Sequence, residues 1–144
     1  MSLLNIAYSP APQVHPNDTV RDAVATALPD GCDAVVVVED EKIAGILTSR
    51  DVMLKVVLRR LDSESTLVRH VMTSPVVSMH PETDPAEALG LMLEHHIRHI
   101  PLSEDGRILC GLVSLRRVLN YIVEDQRDNL LHMESFLRAD SPGG

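Results

Sequence analysis

Apolar positions along the chain change their spacing in a fixed order, and the order occurs twice. Residues 18–28 and 84–93 open on acidic or hydroxyl groups able to cap a helix, then place apolar residues three and four apart, so each predicts a helix. Residues 34–39 and 97–102 are short β-branched or apolar runs followed by the acidic turns Asp40-Glu41 and Asp105-Gly106, the pattern of a strand leading into a hairpin. A second strand is predicted over 42–47 and again over 107–113. Helical spacing returns over 49–60 and from Leu115 to about Leu137. With short extended stretches around Gln13-Val14 and Val76-Val77, each unit reads strand, helix, strand, strand, helix.

The two units are copies of one another. Placing His15-Pro16 on His80-Pro81 gives an offset of 65 residues, which also sets Ala23 on Ala88, Leu28 on Leu93, Glu39-Asp40 on Glu104-Asp105 and Ile43 on Ile108. One extra residue near Leu109 raises the offset to 66, and Gly45 then falls on Gly111, Thr48 on Ser114, Arg50 on Arg116 and Val52 on Val118. Agreement of apolar and turn positions over about fifty residues is a far stronger signal than any single motif. A unit of this size has a small sheet with one apolar face and is marginal alone. The expected architecture is therefore α+β (α/β), two β-α-β-β-α repeats over 1–62 and 63–123 packed sheet to sheet, followed by a helical extension and frayed tail over 124–144. The polar residues 62–66 link the repeats, and 67–72 form a short turn or helix that starts the second copy.

Composition narrows the function. With one Phe, two Tyr and no Trp among 144 residues, the core must be built from aliphatic side chains. A net charge of −8 argues against nucleic acid, whose backbone is bound by clustered Lys and Arg. Cys32 and Cys110 belong to no Cys-x-x-Cys pair, which points to reduced thiols and neither a zinc knuckle nor a disulfide framework. Residues 1–12 carry no basic stretch or long apolar run, and nothing later approaches a membrane span, so a cytoplasmic protein is expected.

The motifs sharpen this. Gly45-Ile46-Leu47-Thr48-Ser49-Arg50-Asp51 has a copy in Gly111-Leu112-Val113-Ser114-Leu115-Arg116-Arg117, and Val71-Met72-Thr73 and Arg98-His99-Ile100-Pro101-Leu102 complete the set. From about Ile6 to Val123 the chain resembles the cystathionine-beta-synthase (CBS) domain pair, also called a Bateman module. The resemblance implies a regulatory module and no enzyme, binding an adenosine nucleotide (AMP, ADP or ATP, with NAD or S-adenosylmethionine as further candidates) between the repeats. It further implies that Asp51 accepts from the ribose hydroxyls, that Thr48 and Arg50 meet the phosphates, that Arg98 and His99 come from the other repeat, and that Pro12 and Cys32 wall the adenine. At the second site Arg117 stands where the acid belongs. A guanidinium donates and cannot accept, so a weaker or empty cleft is expected there, with Ser114, Arg116 and Arg117 left as phosphate contacts.

Plainer roles fit the same residues. Thr48 and Asp51 also suit a helix cap, Arg98 and His99 a solvated surface, and Cys32 a small apolar filler. His95, His96 and His99 would share a metal only on one continuous helix, which the repeat breaks, so no metal is expected. No Cys-His nucleophile pair, Gly-rich phosphate loop or catalytic carboxylate pair is present. The last helix continues an apolar stripe through Leu119, Ile122, Leu130, Met133 and Leu137, which either folds back on its own module or predicts a homodimer or, alternatively, a ligand-independent docking module for a separate enzyme or transporter.

Overall fold

The computed structural model describes residues 2–139. The tail expected to fray lies, from Asp140 on, outside the described residues. In the first repeat, β1 (Gln13–Val14) is followed by α1 (Val20–Ala27), β2 (Ala34–Glu39), β3 (Lys42–Thr48) and α2 (Ser49–Val52), which widens into a π-helical turn over Met53–Val57. Thr19 caps α1 by accepting from the Asp22 amide. The β2–β3 hairpin turns through Asp40 and Glu41, both at positive φ (52° and 65°), the conformation that a two-residue hairpin loop requires. The sheet order is β1-β2-β3, with β1 parallel and β3 antiparallel to β2.

The second repeat contains α3 (Pro85–His95), β4 (His99–Leu102), β5 (Gly111–Ser114) and α4 (Leu115–Ala139). Its sheet is smaller than the sequence predicts. No strand forms at Val76-Val77; the third position is a single parallel bridge from Met79 to Leu102, the register partner of Val14 on Val37. The strand predicted over 107–113 begins only at Gly111, because Asp105 gathers the loop onto its carboxylate. The Arg107 and Ile108 amides and the Ser103 hydroxyl all donate to Asp105 Oδ1, at 2.8, 3.0 and 3.0 Å. These donors, Ile108 foremost, draw its pKa down to about 2. β4 likewise starts at His99 rather than Ile97, since His96 ends α3 in the left-handed conformation.

Three apolar clusters hold the chain. Val20, Val35, Val37, Leu47 and Val56 fill the space beneath α1 and α2. Met92, Ile100, Leu102, Val113 and Val118 do the same beneath α3 and α4. Between them the other faces of the sheets meet through Ala34, Val36, Ile46 and Leu112, which is the expected sheet-to-sheet packing. The repeats also exchange their leading segments. Leu3, on the 3-10 turn Leu3–Ile6, lies in the core of the second repeat, and the Tyr8 and Leu112 backbones pair at 2.8 and 3.0 Å. Val68 and Val71 lie in the core of the first repeat, and Thr73 pairs with Ile46. The turn expected over 67–72 is the 3-10 helix Val68–His70.

Beyond Ile122, α4 leaves the body. Every described side chain over 123–138 is exposed, Leu130, Met133 and Leu137 among them.

Candidate functional site

The hairpin and the exchanged segments bring Thr48 and Asp51 to a seam between the repeats. β3 ends at Thr48, the still-extended N-cap after which the helix turns, and its hydroxyl accepts from the Asp51 amide at 3.2 Å; Asp51 answers by accepting from the Thr48 amide at 3.0 Å. This reciprocal cap opens α2. The same carboxylate reaches across the seam. Its Oδ1 accepts from the Thr73 hydroxyl at 2.9 Å and faces the Lys55 ammonium at 3.0 Å. Lys55 also donates to the Val71 carbonyl at 3.1 Å. Asp51 is 7% exposed, and it is the one charged side chain among the described buried residues.

A carboxylate offers about four acceptor positions, and here the Thr48 amide, the Thr48 hydroxyl at 3.2 Å, Thr73 and Lys55 take them all. The capping role is thus realised in full. Lys55 was not singled out from the sequence, and Thr73 only as a member of the Val71-Met72-Thr73 motif, without a role at Asp51. Lys55 was legible, being four residues past Asp51 on one helix face; Thr73 reaches Asp51 only through the exchange of segments, which local spacing does not report.

The other predicted residues distribute unevenly. Cys32 and Thr48 line one small cavity of about 150 Å³, together with Asp33, Ala34 and Ser49; Asp51 does not. Pro12 is buried beside β2, and its carbonyl accepts from the Val36 amide. Burial pushes the Cys32 thiol above its ordinary pKa, as suits an inert filler. Arg50, Arg98 and Arg116 lie exposed. A wider cavity, about 690 Å³, is an apolar groove on the helical face of the first repeat between Val20, Val24, Leu28, Val52 and Leu61, and no predicted binding residue lines it.

His99 stands at the start of β4, close enough to Asp33 of the first repeat to feel its charge. Burial lowers its pKa below the ordinary 6.5, Asp33 opposes that shift and Arg98 adds to it. At neutral pH His99 is therefore an uncharged imidazole that can donate to a phosphate without adding a cation. An unfolded chain takes up this proton first, so the contribution to stability falls as pH drops from 6.5 through the folded-state midpoint. An NMR titration of His99 is expected to give a midpoint below 6.5, lower still in Asp33→Asn; a midpoint at or above 6.5 would contradict the burial seen here.

In the second cleft Ser114 repeats the cap of Thr48, accepting from the Arg117 amide at 3.2 Å. Arg117 lies over the Tyr8 ring. As for the histidines, His95 ends α3, His96 is its left-handed cap and His99 is on β4, so the helical pair is not formed. Among the described residues no three His, Cys, Asp or Glu side chains converge as metal ligands, and no helix is long and apolar enough to cross a membrane.

A duplicated α/β unit with its halves packed sheet to sheet and a capped Thr-x-x-Asp at the seam defines a tandem-repeat fold. The chain belongs to the CBS domain family: the family model matches twice, over residues 5–58 and 68–124. It is 34% identical over 128 residues to the mitochondrial CBS domain-containing protein CBSX3 of Arabidopsis thaliana, covering 85% of this chain and 62% of that protein. It is 32% identical over 102 residues to the CBS domain-containing protein YhcV of Bacillus subtilis, covering 71% of each. Several relatives are longer, and the chain spans only about 54% of the Methanopyrus kandleri protein MK0525. A CBS-domain protein of Burkholderia ambifaria assigned to signal transduction superposes with a TM-score of 0.76 at 33% identity, covering 88% of this chain and 96% of that one. The CBS domain pair of MJ0100, solved with 5′-methylthioadenosine and S-adenosylmethionine, has a TM-score of 0.77 over 87% of this chain and 98% of its own; at 19% identity it shares the fold.

Proposed function

We propose that this CBS pair is a regulatory module that takes up an adenosine nucleotide at the Asp51 seam and acts as a metabolite or energy sensor. The observation that carries the reading is a buried carboxylate held between the repeats by a donor from each, Thr48 and Thr73. A ribose diol presents two donors of the same kind, and replacing Thr73 and Lys55 on Oδ1 would let sugar binding loosen one repeat from the other. The exchange must open the seam, since the acceptor positions of the Asp51 carboxylate are already taken by Thr48, Thr73 and Lys55. The freed Lys55 ammonium and the exposed Arg50 and Arg98 are then the cations nearest the phosphates. The adenosine ligands of the MJ0100 pair support this choice of ligand class.

Calorimetric titration with AMP, ADP, ATP, NAD and S-adenosylmethionine tests the proposal, and silence from all five at millimolar concentration would refute it. Asp51→Ala is expected to weaken the ligand that binds by about ten- to a hundredfold, since charged hydrogen bonds are worth roughly 1.5–3 kcal/mol and each decade is about 1.4. The variant also loses a helix cap, so its thermal melt is recorded alongside to separate affinity from folding.

A second reading, a docking or dimerisation module for a separate enzyme or transporter, is favoured by the exposed stripe on α4. Leu119, Val123, Leu130, Met133 and Leu137 recur at the three-four spacing of a helix-pairing seam, which fits a homodimer. A chain ending at Val123 is expected to sediment as a monomer with its nucleotide affinity unchanged and its melting temperature lowered only by the stabilisation that dimerisation supplied, because residues 124–138 add nothing to the cores. If full-length and shortened chains sediment alike, α4 does not mediate assembly.

A further inference from the structure

The register that overlays the repeats also overlays their two clefts, and the clefts differ in charge. In the first, Asp51 and Lys55 compensate one another at 3.0 Å, and Lys55 also caps the Val71 carbonyl at 3.1 Å. In the second, Arg117 stands for Asp51, Tyr121 for Lys55, Tyr8 for Thr73 and Ile6 for Val71. The Arg117 guanidinium lies 3.5 Å from the centre of the Tyr8 ring, and its Nη1 donates to the Ile6 carbonyl at 3.4 Å. Arg117 makes no ion pair among the described residues.

One side chain thus occupies the acid's place and also takes over the carbonyl that lysine caps in the first cleft. Two consequences follow from its chemistry. A guanidinium has donors only, so it offers nothing to the hydroxyls of a ribose. Its position over the half-buried Tyr8 ring is an attractive cation–π contact that joins the second repeat's motif to the leading segment lying across it, where Thr73 and Asp51 meet in the first. We propose that Tyr8 and Arg117 close the second cleft from within, so that each chain takes up a single nucleoside, at Asp51. The inference rests on the reading of the Asp51 seam given above.

The stack is tested first without any nucleotide. Ring current from Tyr8 is expected to move the Arg117 Hδ protons upfield in the NMR spectrum, and Tyr8→Leu to abolish that shift; random-coil positions in the unsubstituted protein would overturn the closure. Stoichiometry is then read by calorimetry with AMP as the probe. The protein is expected to bind one AMP per chain, and the double variant Tyr8→Thr/Arg117→Asp, which writes the first cleft's pair into the second, is expected to bind two. Two AMP in the unsubstituted protein, or one in a double variant that still melts cooperatively, overturns the inference while leaving the Asp51 reading intact. If the unsubstituted protein binds no AMP, the Asp51 reading passes to the other four ligands, and one AMP gained by the double variant still supports the closure whereas none overturns it. Should the double variant not fold, Arg117→Asp alone decides: a weak additional AMP supports the closure, and its absence overturns it.

Discussion

Leu3→Ala is expected to destabilise the fold by about 2–5 kcal/mol, the range for emptying a fully buried leucine site. The position looks unimportant in the sequence, three residues from the start and far from its own repeat's helices. In the structure Leu3 has no exposed surface and packs with Met92, Ile100, Leu102, Val113 and Val118 of the other repeat. Its backbone is fixed there too, the Leu3 and Leu4 amides donating to the Thr83 and Pro81 carbonyls at 3.0 and 3.1 Å. Urea unfolding of the variant beside the unsubstituted protein measures the loss. A loss below about 1 kcal/mol, smaller than core truncations give, would mean that the leading segment does not help to hold the second repeat.

Gly45→Val is expected to cost at or above the roughly 3 kcal/mol upper end of ordinary overpacking. A Cβ at Gly45 would stand 2.8 Å from the Thr73 carbonyl oxygen and 3.0 Å from Met72 Sδ. The methionine can rotate away, but the carbonyl is backbone, bonded to the Ile46 amide at 3.0 Å. Relief therefore requires the second repeat's leading segment to lift off β3, taking Thr73 away from Asp51. The related glycine offers an internal control. A Cβ at Gly111 would meet Ala7 Cβ and the Tyr8 carbonyl at 3.4 Å, close to ordinary contact, so Gly111→Ala should stay within about 1 kcal/mol, below the overpacking range. Equal losses from Gly45→Ala and Gly111→Ala would show that the seam at Thr73 yields as easily as the one at Tyr8.

What the sequence revealed and what it hid divide along one physical line. Spacing of apolar residues reports the face that an element buries, and so α1, α3, β2, β3 and the turn at Asp40-Glu41 stand where the periodicity puts them. Chain that carries no period is silent about its destination. Residues 3–8 and 67–73 are such stretches, and their crossing between repeats delivers Tyr8 and Thr73 to the clefts. The strand expected over 107–113 failed for a different reason: apolar residues satisfied the strand pattern, while the Asp105 carboxylate offered the same amides a better acceptor than a neighbouring strand. At Asp51 the sequence indicated both a cap and a sugar-binding acid. The capping bonds are seen, and the number of donors already on the carboxylate is what spacing alone does not disclose.

The crossing segments bear on how the molecule comes apart. A protease that nicked the exposed peptide between Asp62 and Ser65 would leave two fragments still clasped, each keeping its first residues inside the other's interior. Separation of the halves would then need denaturant, and pieces made apart should reassemble when mixed.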